Sequence, residues 1–507
     1  MILWLAPAHL ALTIIILVWN IMLAGRIAQL RQAPLAFQAI TGMAAMLLLP
    51  ALLLNLATST IITGRAVATM DWVWPAVLVL FAVQATYAVA RRLVNLFWGL
   101  PIAVYNILIA TLGVIRYVVA HGYTPPAPLV TLLAAQGTAM VLATGTAAAV
   151  ATPFYLNMPM VSPAFPAIRS LTASVRFIMS VVAIGWVAFI TALGLPRTDK
   201  AARAASREHA DDRLRERPAG DFAIGLKVLP DVAGPPPPAA VKSDFALVDT
   251  LEVDAVSVVV VPDVTRLGLD SLARVLEPTR RDTTMLIVAV GYRGKLIPEL
   301  GQTPLNPAER IDAVQRIVRR LHPDILLPAE DPYGTGARVL GRLPVEAWKS
   351  YITDAARAAK AIDSAVKIGI SVASFSSRDS ALYAWAAGPG SPVDIVGFSF
   401  FGTPFVNEEL DALERAADRW MRVTPSNKPH WVFATGGYPL AYGELSQERA
   451  IWQVLAWATD RPMIKGLVVY EAGDYGQSRG LRAPNGRLRR AAGAVMRGIR
   501  GLKESVR

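Results

Sequence analysis

Two stretches of the chain place acidic residues where an apolar run gives way to a loop. Glu330, with Asp331 beside it, stands in "DILLPAEDPYG", and Glu471 and Asp474 stand in "IKGLVVYEAGDYG". Tyrosines accompany both, Tyr333 in the first and Tyr470 and Tyr475 in the second. Two carboxyl groups flanking a glycosidic bond are what its hydrolysis requires, one as acid and the other as nucleophile or base. Aromatic faces add flat apolar surfaces on which sugar rings stack. Comparable positions hold Asp263 after "AVSVVVVP", Tyr292 and Arg293 after "TTMLIVAVG", and Thr435 and Tyr438 within "HWVFATGGYP".

These residues meet only if their segments are strands of one sheet. Beyond Asp221, apolar runs alternate with amphipathic segments of helical length. The runs are "FAIGLKVL", "AVSVVVVPD", "TTMLIVAVGY", "DILLPAEDPYG", "VKIGISVASFS", "DIVGFSFFGTP", "HWVFATGGYP" and "IKGLVVYEAGDYG". Near-continuous apolar character is the mark of parallel strands covered on both faces. Between them, "NPAERIDAVQRIVRRL" opens on Asn306 as N-cap with Pro307 in the first turn. "ELSQERAIWQVLAWAT" repeats apolar residues at three- and four-residue spacing. Eight such units predict a closed (β/α)8 TIM barrel over residues 221–507, with a doubly wound sheet as the alternative. In a barrel the chemistry sits on the loops after the strands, so the acids and tyrosines share one rim. The histidines are scattered, and His322 and His430 precede strands. With no cysteine either, neither a metal site nor a cofactor is expected. The glycines at 334–336 lack the Gly-Lys-Ser/Thr ending of a phosphate loop.

The first part of the chain is of another kind. The sequence is 54% hydrophobic and 17% charged, against about 25% charged in soluble proteins. From Met1 to Leu195 it holds eight arginines, no lysine and a single acid, Asp71. Runs long enough to cross about 30 Å of hydrocarbon occur at roughly 3–24, 36–57, 73–90, 94–118, 129–151 and 175–195. The expected domain is a multi-pass α-helical membrane domain, 1–195, with about six spans. The first run lacks a basic start and is followed by Arg26, which favours an N-terminus facing outward over a cleaved signal. Arg26, Arg31, Arg91, Arg92, Arg169 and Arg176 then face the cytoplasm, and only Arg65 and Arg116 the outside. Asn20, Asn55, Gln84, Asn106 and Gln136 are polar but uncharged and are expected to bond between helices. No ionisable residue lies well inside a span, which disfavours ion-coupled transport. Pro153, Pro159, Pro163 and Pro166 predict a non-helical loop, with Phe154, Tyr155 and Phe165 suited to the membrane interface. Residues 196–220, rich in charges of both signs such as Arg197, Lys200 and Glu216, read as a solvated stalk.

From Asp221 to about Arg490 the chain resembles the retaining glycoside hydrolase barrels, most of all family seventeen, the β-1,3-glucanase-like group. Those proteins carry an acid/base Glu after strand four, commonly preceded by Asn, and a nucleophile Glu after strand seven in a segment like "ETGWP". Many have a "FEAFDE"-like stretch after strand eight. The resemblance puts Glu330 at the acid/base position, behind Ala329 instead of Asn, and Ala434 where the nucleophile would stand. Thr435 and Gly436 match the pair that follows, and Glu471 and Asp474 match the acidic positions of the last stretch.

Three readings follow. Glu471 or Asp474 replaces the lost nucleophile, and the barrel cleaves or remodels a polysaccharide, β-glucan first. Alternatively the barrel binds glycan without cutting it, serving polysaccharide synthesis or export with other envelope glycan-assembly proteins. In the third, the barrel is a structural ectodomain and the helices act in transport or as a scaffold. Catalytic candidates are Glu330, Glu471 and Asp474. Substrate-binding candidates are Asp263, Tyr292, Arg293, Tyr333, Thr435, Tyr438, Tyr470 and Tyr475. The expected partners are a poly- or oligosaccharide and the lipid bilayer. No nucleic acid is expected, because the charge outside the membrane part is nearly balanced. The expected place is the cell (inner) membrane, with the barrel periplasmic or extracellular. An enzymatic reporter fused after Leu195 should be active only outside the cytoplasm; cytoplasmic activity would reverse the assignment.

Overall fold

Apolar side chains that water would drive inward point outward along the N-terminal helices. Ile15, Met46, Leu53, Val83, Ile107 and Val182 are all exposed, a surface suited to hydrocarbon. The chain is seen in a computed structural model that describes residues 5–24, 33–123, 126–144, 157–162, 171–206, 213–281, 284–293, 303–401, 410–475 and 479–504. The bundle consists of α1 (Leu5–Ala24), α2 (Leu35–Thr58), α3 (Val73–Ala90), α4 (Leu96–Ala120), α5 (Ala127–Thr144) and α6 (Leu171–Ser206). Among the described residues four stretches are long and apolar enough to cross a membrane: Leu35–Thr58, Arg65–Ala90, Leu96–Ala120 and Ser174–Pro196. The first helix contributes a shorter apolar stretch, Pro7–Met22. Arg26, Arg31, Arg169, Pro153, Pro163, Pro166, Phe154, Tyr155 and Phe165 lie outside the described residues.

A non-helical hexapeptide, 157–162, runs through the bundle with Met158 to Ser162 buried. Backbone at that depth needs hydrogen-bond partners, because hydrocarbon offers none. Carboxamides supply them in pairs. Asn106 donates to Met160 O (2.7 Å) and accepts from Met160 N (3.0 Å). Asn20 donates to Pro159 O (2.6 Å) and accepts from Val161 N (3.1 Å). Gln84 donates to Ser162 O (2.7 Å) and accepts from Ser162 N (2.9 Å). Tyr105 adds a bond to Met158 O (2.8 Å). Asn20, Gln84 and Asn106 thus bond chiefly to this segment, and Gln84 to Thr41 Oγ1 (3.1 Å) and Asn106 to Phe81 O (3.3 Å) are helix-to-helix bonds beside it.

The second part is a closed barrel of eight parallel strands in sequence order. The strands are β1 (Ala223–Lys227), β2 (Ala255–Val260), β3 (Met285–Val290), β4 (Ile325–Leu327), β5 (Lys367–Val372), β6 (Ile395–Phe401), β7 (His430–Gly436) and β8 (Ile464–Val469). Around them pack α7 (Pro238–Leu251), α8 (Arg266–Arg281), α9 (Pro307–Leu321), α10 (Val345–Lys360), α11 (Ser377–Ala387), α12 (Leu410–Val423), α13 (Glu444–Thr459) and α14 (Arg490–Glu504). Local chemistry starts several of them. Asn306 caps α9 by accepting from Glu309 N, and Ser376 and Asp379 form a reciprocal cap on α11. Side chains alternate along each strand between the barrel axis and the helical shell. Trp431 and Phe433 of β7, with Val259, Ile287 and Leu327, fill the axis. Val432, Phe398 and Phe400 join the shell.

A bulge breaks that alternation in β7. Val432 pairs with Phe398, but the next pair is Ala434 with Ser399, so Phe433 is an extra residue. Beyond it Thr435 lies level with Phe400 and Val469, both shell residues. The side-chain sequence of β7 is therefore shifted by one.

The barrel's strand-end rim rests on the bundle. Ile61 N donates to Asp474 O (3.0 Å), and Thr60 bridges Tyr475. Arg65 Nε donates to Asn485 O (2.9 Å), and Arg487 donates to Ala120 O (3.0 Å). The short helix Pro439–Tyr442 after β7 lies against α4, α5 and α6. At the far end Arg217, buried, donates to the carbonyls of Thr459, Arg461, Pro462 and Ile464 and so ties residues 213–221 to the barrel. Replacing Asn106 with Leu orphans one buried N–H and one buried C=O, each worth roughly 1–3 kcal/mol. Thermal unfolding of the full-length protein in detergent should fall by several degrees; an unchanged transition would mean that the hexapeptide is not held this way.

Candidate functional site

Strand β1 delivers the first charge. Lys227, its last residue, is buried, and its ammonium bonds the Glu330 carboxylate directly. It also lies over the Tyr470 ring, 4.4 Å from the centroid. A lysine in a strand covered on both sides needs such a partner, since an unpaired buried charge is costly. Glu330 and Asp331 follow β4 and are both buried. Asp331 Oδ1 accepts from Ser371 Oγ and Ser399 Oγ, both at 2.7 Å. Burial, and then the charge of Glu330, push the Asp331 carboxyl up to about 6, against the two serines. Asp231, in the loop after β1, is exposed at the mouth yet hemmed in by protein. That crowding and the neighbouring Glu330 raise it to about 6.

Glu471 closes the set from β8. It is 1% exposed, and its Oε1 is buried without a partner among the described residues. Burial raises it to about 8; Arg479 opposes the shift, and Asp474, Asp244 and Asp231 add to it. Arg479 is itself buried among aromatic faces, its guanidinium 4.1 Å from the Tyr470 centroid, 4.9 Å from Phe401 and 5.7 Å from Tyr438. These rings are half-buried and face the mouth. Carboxylates, two cations and an aromatic cup therefore share the strand-end mouth of the barrel.

The other sequence candidates divide. Glu330, Glu471, Tyr438 and Tyr470 are in the set just described. Asp263 and Arg293 form an ion pair with each other on the exposed rim of β2 and β3. Asp474 is bound by the buried Arg489 through both oxygens (2.7 and 2.6 Å) and by Gly480 N (2.8 Å). Tyr475 donates to Asp244 Oδ2 (2.6 Å) beneath the bundle contact. Thr435 is 0% exposed and level with shell residues, while Tyr292 and Tyr333 are buried with hydroxyls that have no partner among the described residues. Lys227, Asp231 and Arg479 did not emerge from the sequence. The lone Lys in "FAIGLKVL" was the available signal for the first; Arg479 sits in a loop with no pattern.

The chain matches no protein-family model and no curated protein sequence. Among solved structures it is similar to a β-glucuronidase from Ruminococcus gnavus bound to D-glucuronic acid, at 13% identity and a TM-score of 0.39, over 54% of this chain and 48% of that one. It is similar also to an exo-β-1,4-mannosidase from Opitutaceae bacterium strain TAV5, at 13% identity and a TM-score of 0.43, over 59% of this chain and 63% of that one. The chain thus spans about half the length of the first of these. Its class rests on its own architecture, a closed (β/α)8 barrel seated on a helical bundle whose long apolar helices suit a membrane.

The raised carboxyl of Glu471 has a consequence for stability. Between pH 4.5 and about 8 the folded chain keeps a proton that the unfolded chain releases, so stability falls as pH rises through that window. The melting temperature should be lower at pH 9 than at pH 6, and Glu471→Gln should shrink the difference. An equal pH response in wild type and variant would remove Glu471 as its source.

Proposed function

We propose that the barrel mouth is a saccharide site held at the surface of a membrane. One observation carries the reading: Asp231, Glu330, Asp331 and Glu471 meet Lys227 and Arg479 inside a cup of Phe401, Tyr438 and Tyr470. Carboxylates and cations match sugar hydroxyls as acceptors and donors, and the ring faces match a pyranose. The resemblance to the β-1,3-glucanase-like family makes β-glucan the first class to test. On the same resemblance Ala434 fills the nucleophile's place, and it lies level with Ser399 at the mouth. Binding without turnover is therefore the primary reading. The barrel belongs on the outer side of the cell membrane, beside proteins that assemble or export envelope glycan.

One feature favours a second reading, cleavage. Glu471, raised to about 8, holds its proton at neutral pH, and its Oε1 has no partner among the described residues. Asp231, at about 6, is mostly ionised there. Two carboxyls with environments that push them apart make an acid and a base.

Full-length protein in detergent should bind glucan oligosaccharides in calorimetry. Glu330→Gln should weaken binding by about tenfold or more, the weight of a charge-assisted hydrogen bond. Failure to bind anything in a panel of neutral and acidic glycans would sink the saccharide reading. Reducing ends released by wild type and lost in Glu471→Gln would establish turnover; none from wild type would dismiss it and leave binding standing.

A further inference from the structure

Between the bundle and the barrel rim lies a cavity of about 160 Å³. Its upper wall is barrel, with Asp474, Asn485 and Arg489; its lower wall is bundle, reaching Gln136 and the first residue of the buried hexapeptide, Asn157. It therefore spans the level where a lipid headgroup would meet the barrel mouth.

Arg116 of α4 lines this cavity one turn from the helix end. No acid and no hydrogen-bond acceptor among the described residues engages its guanidinium, and no charged neighbour acts on it. Every other cation on the wall is committed: Arg489 belongs to Asp474. The remaining acid, Asp71, turns Oδ2 toward His121 (3.7 Å) and leaves Oδ1 buried without a side-chain hydrogen-bond partner among the described residues. One side of the cavity thus offers a five-donor fork to an anion, and the other an acceptor to a hydroxyl. Below these groups the wall becomes apolar, with Leu78, Ile109 and Leu133.

We propose that this cavity binds the phosphate of a lipid headgroup, with Arg116 as the phosphate contact and Asp71 Oδ1 taking a hydroxyl beside it. The saccharide carried on that phosphate points to the barrel mouth, where Asp474, on the cavity wall, neighbours Glu471 electrostatically. The substrate class is a lipid-linked saccharide. This rests on the saccharide reading of the barrel, but the phosphate site is testable apart from it.

The test is native mass spectrometry of the full-length protein in micelles titrated with polyprenyl monophosphate, phosphatidylglycerol or diacylglycerol. Inorganic phosphate serves as competitor. Polyprenyl monophosphate should be retained over diacylglycerol, about tenfold less by Arg116→Gln, and to an intermediate extent by Arg116→Lys, which keeps the charge but loses the fork. No preference of the wild-type protein for the phosphate lipid over diacylglycerol overturns the proposal, whatever the variants do. Phosphatidylglycerol held as tightly as the polyprenyl phosphate makes this a phospholipid site and overturns delivery to the barrel. Displacement by equimolar inorganic phosphate overturns the lipid assignment. Glucan binding measured on the same samples judges the barrel separately: its loss with phosphate-lipid binding intact counts against the saccharide reading alone.

Discussion

The buried ion pair between Asp474 and Arg489 holds together the parts of this molecule that matter most. Both side chains are 2% exposed, and the guanidinium grips both carboxylate oxygens. Such a pair is costly to bury and more costly to break, about 3–5 kcal/mol when one partner is removed. It joins the two ends of the long segment after β8. That loop starts at Glu471, passes Arg479 and ends at Arg489, and its Asp474 carbonyl receives Ile61 N from the bundle. Two glycines let it close: a Cβ on Gly480 would lie 2.4 Å from the Gly473 backbone, and one on Gly473 2.6 Å from Ile61. One pair thus sets the place of a carboxylate, a cation and the seat of the barrel.

Within the mouth the balance of charge decides what can be assembled. Burial raises Asp231, Asp331 and Glu471, and the neighbouring carboxylates add to that rise. Lys227 and Arg479 offset this, one bonding Glu330 and the other lowering Glu471. Both cations rest on the Tyr470 ring, whose face favours positive charge. That ring is therefore an electrostatic partner shared by both cations.

The barrel was legible because its signal is repetitive. All eight apolar runs are strands, and "ELSQERAIWQVLAWAT" is α13 from end to end. The rim acids Glu330 and Glu471 were legible because strand ends point to one mouth. What escaped was whatever depends on a single residue in three dimensions. The extra residue Phe433 in β7 leaves no mark on an apolar run, yet it turns Thr435 to the shell. Asp474 reads as a rim acid until Arg489 arrives from beyond the loop. Asn20, Gln84 and Asn106 read as helix-to-helix glue because a backbone partner cannot be inferred from the helices alone.

The grip on the hexapeptide also bears on how the chain is made. The carboxamides that hold it belong to α1, α3 and α4, all of which precede it in the sequence. When residues 157–162 leave the ribosome, every group that will receive their amides is already synthesised. The segment need not wait in lipid for a later helix to satisfy it, and α6 can then close the bundle over a seat that is already filled.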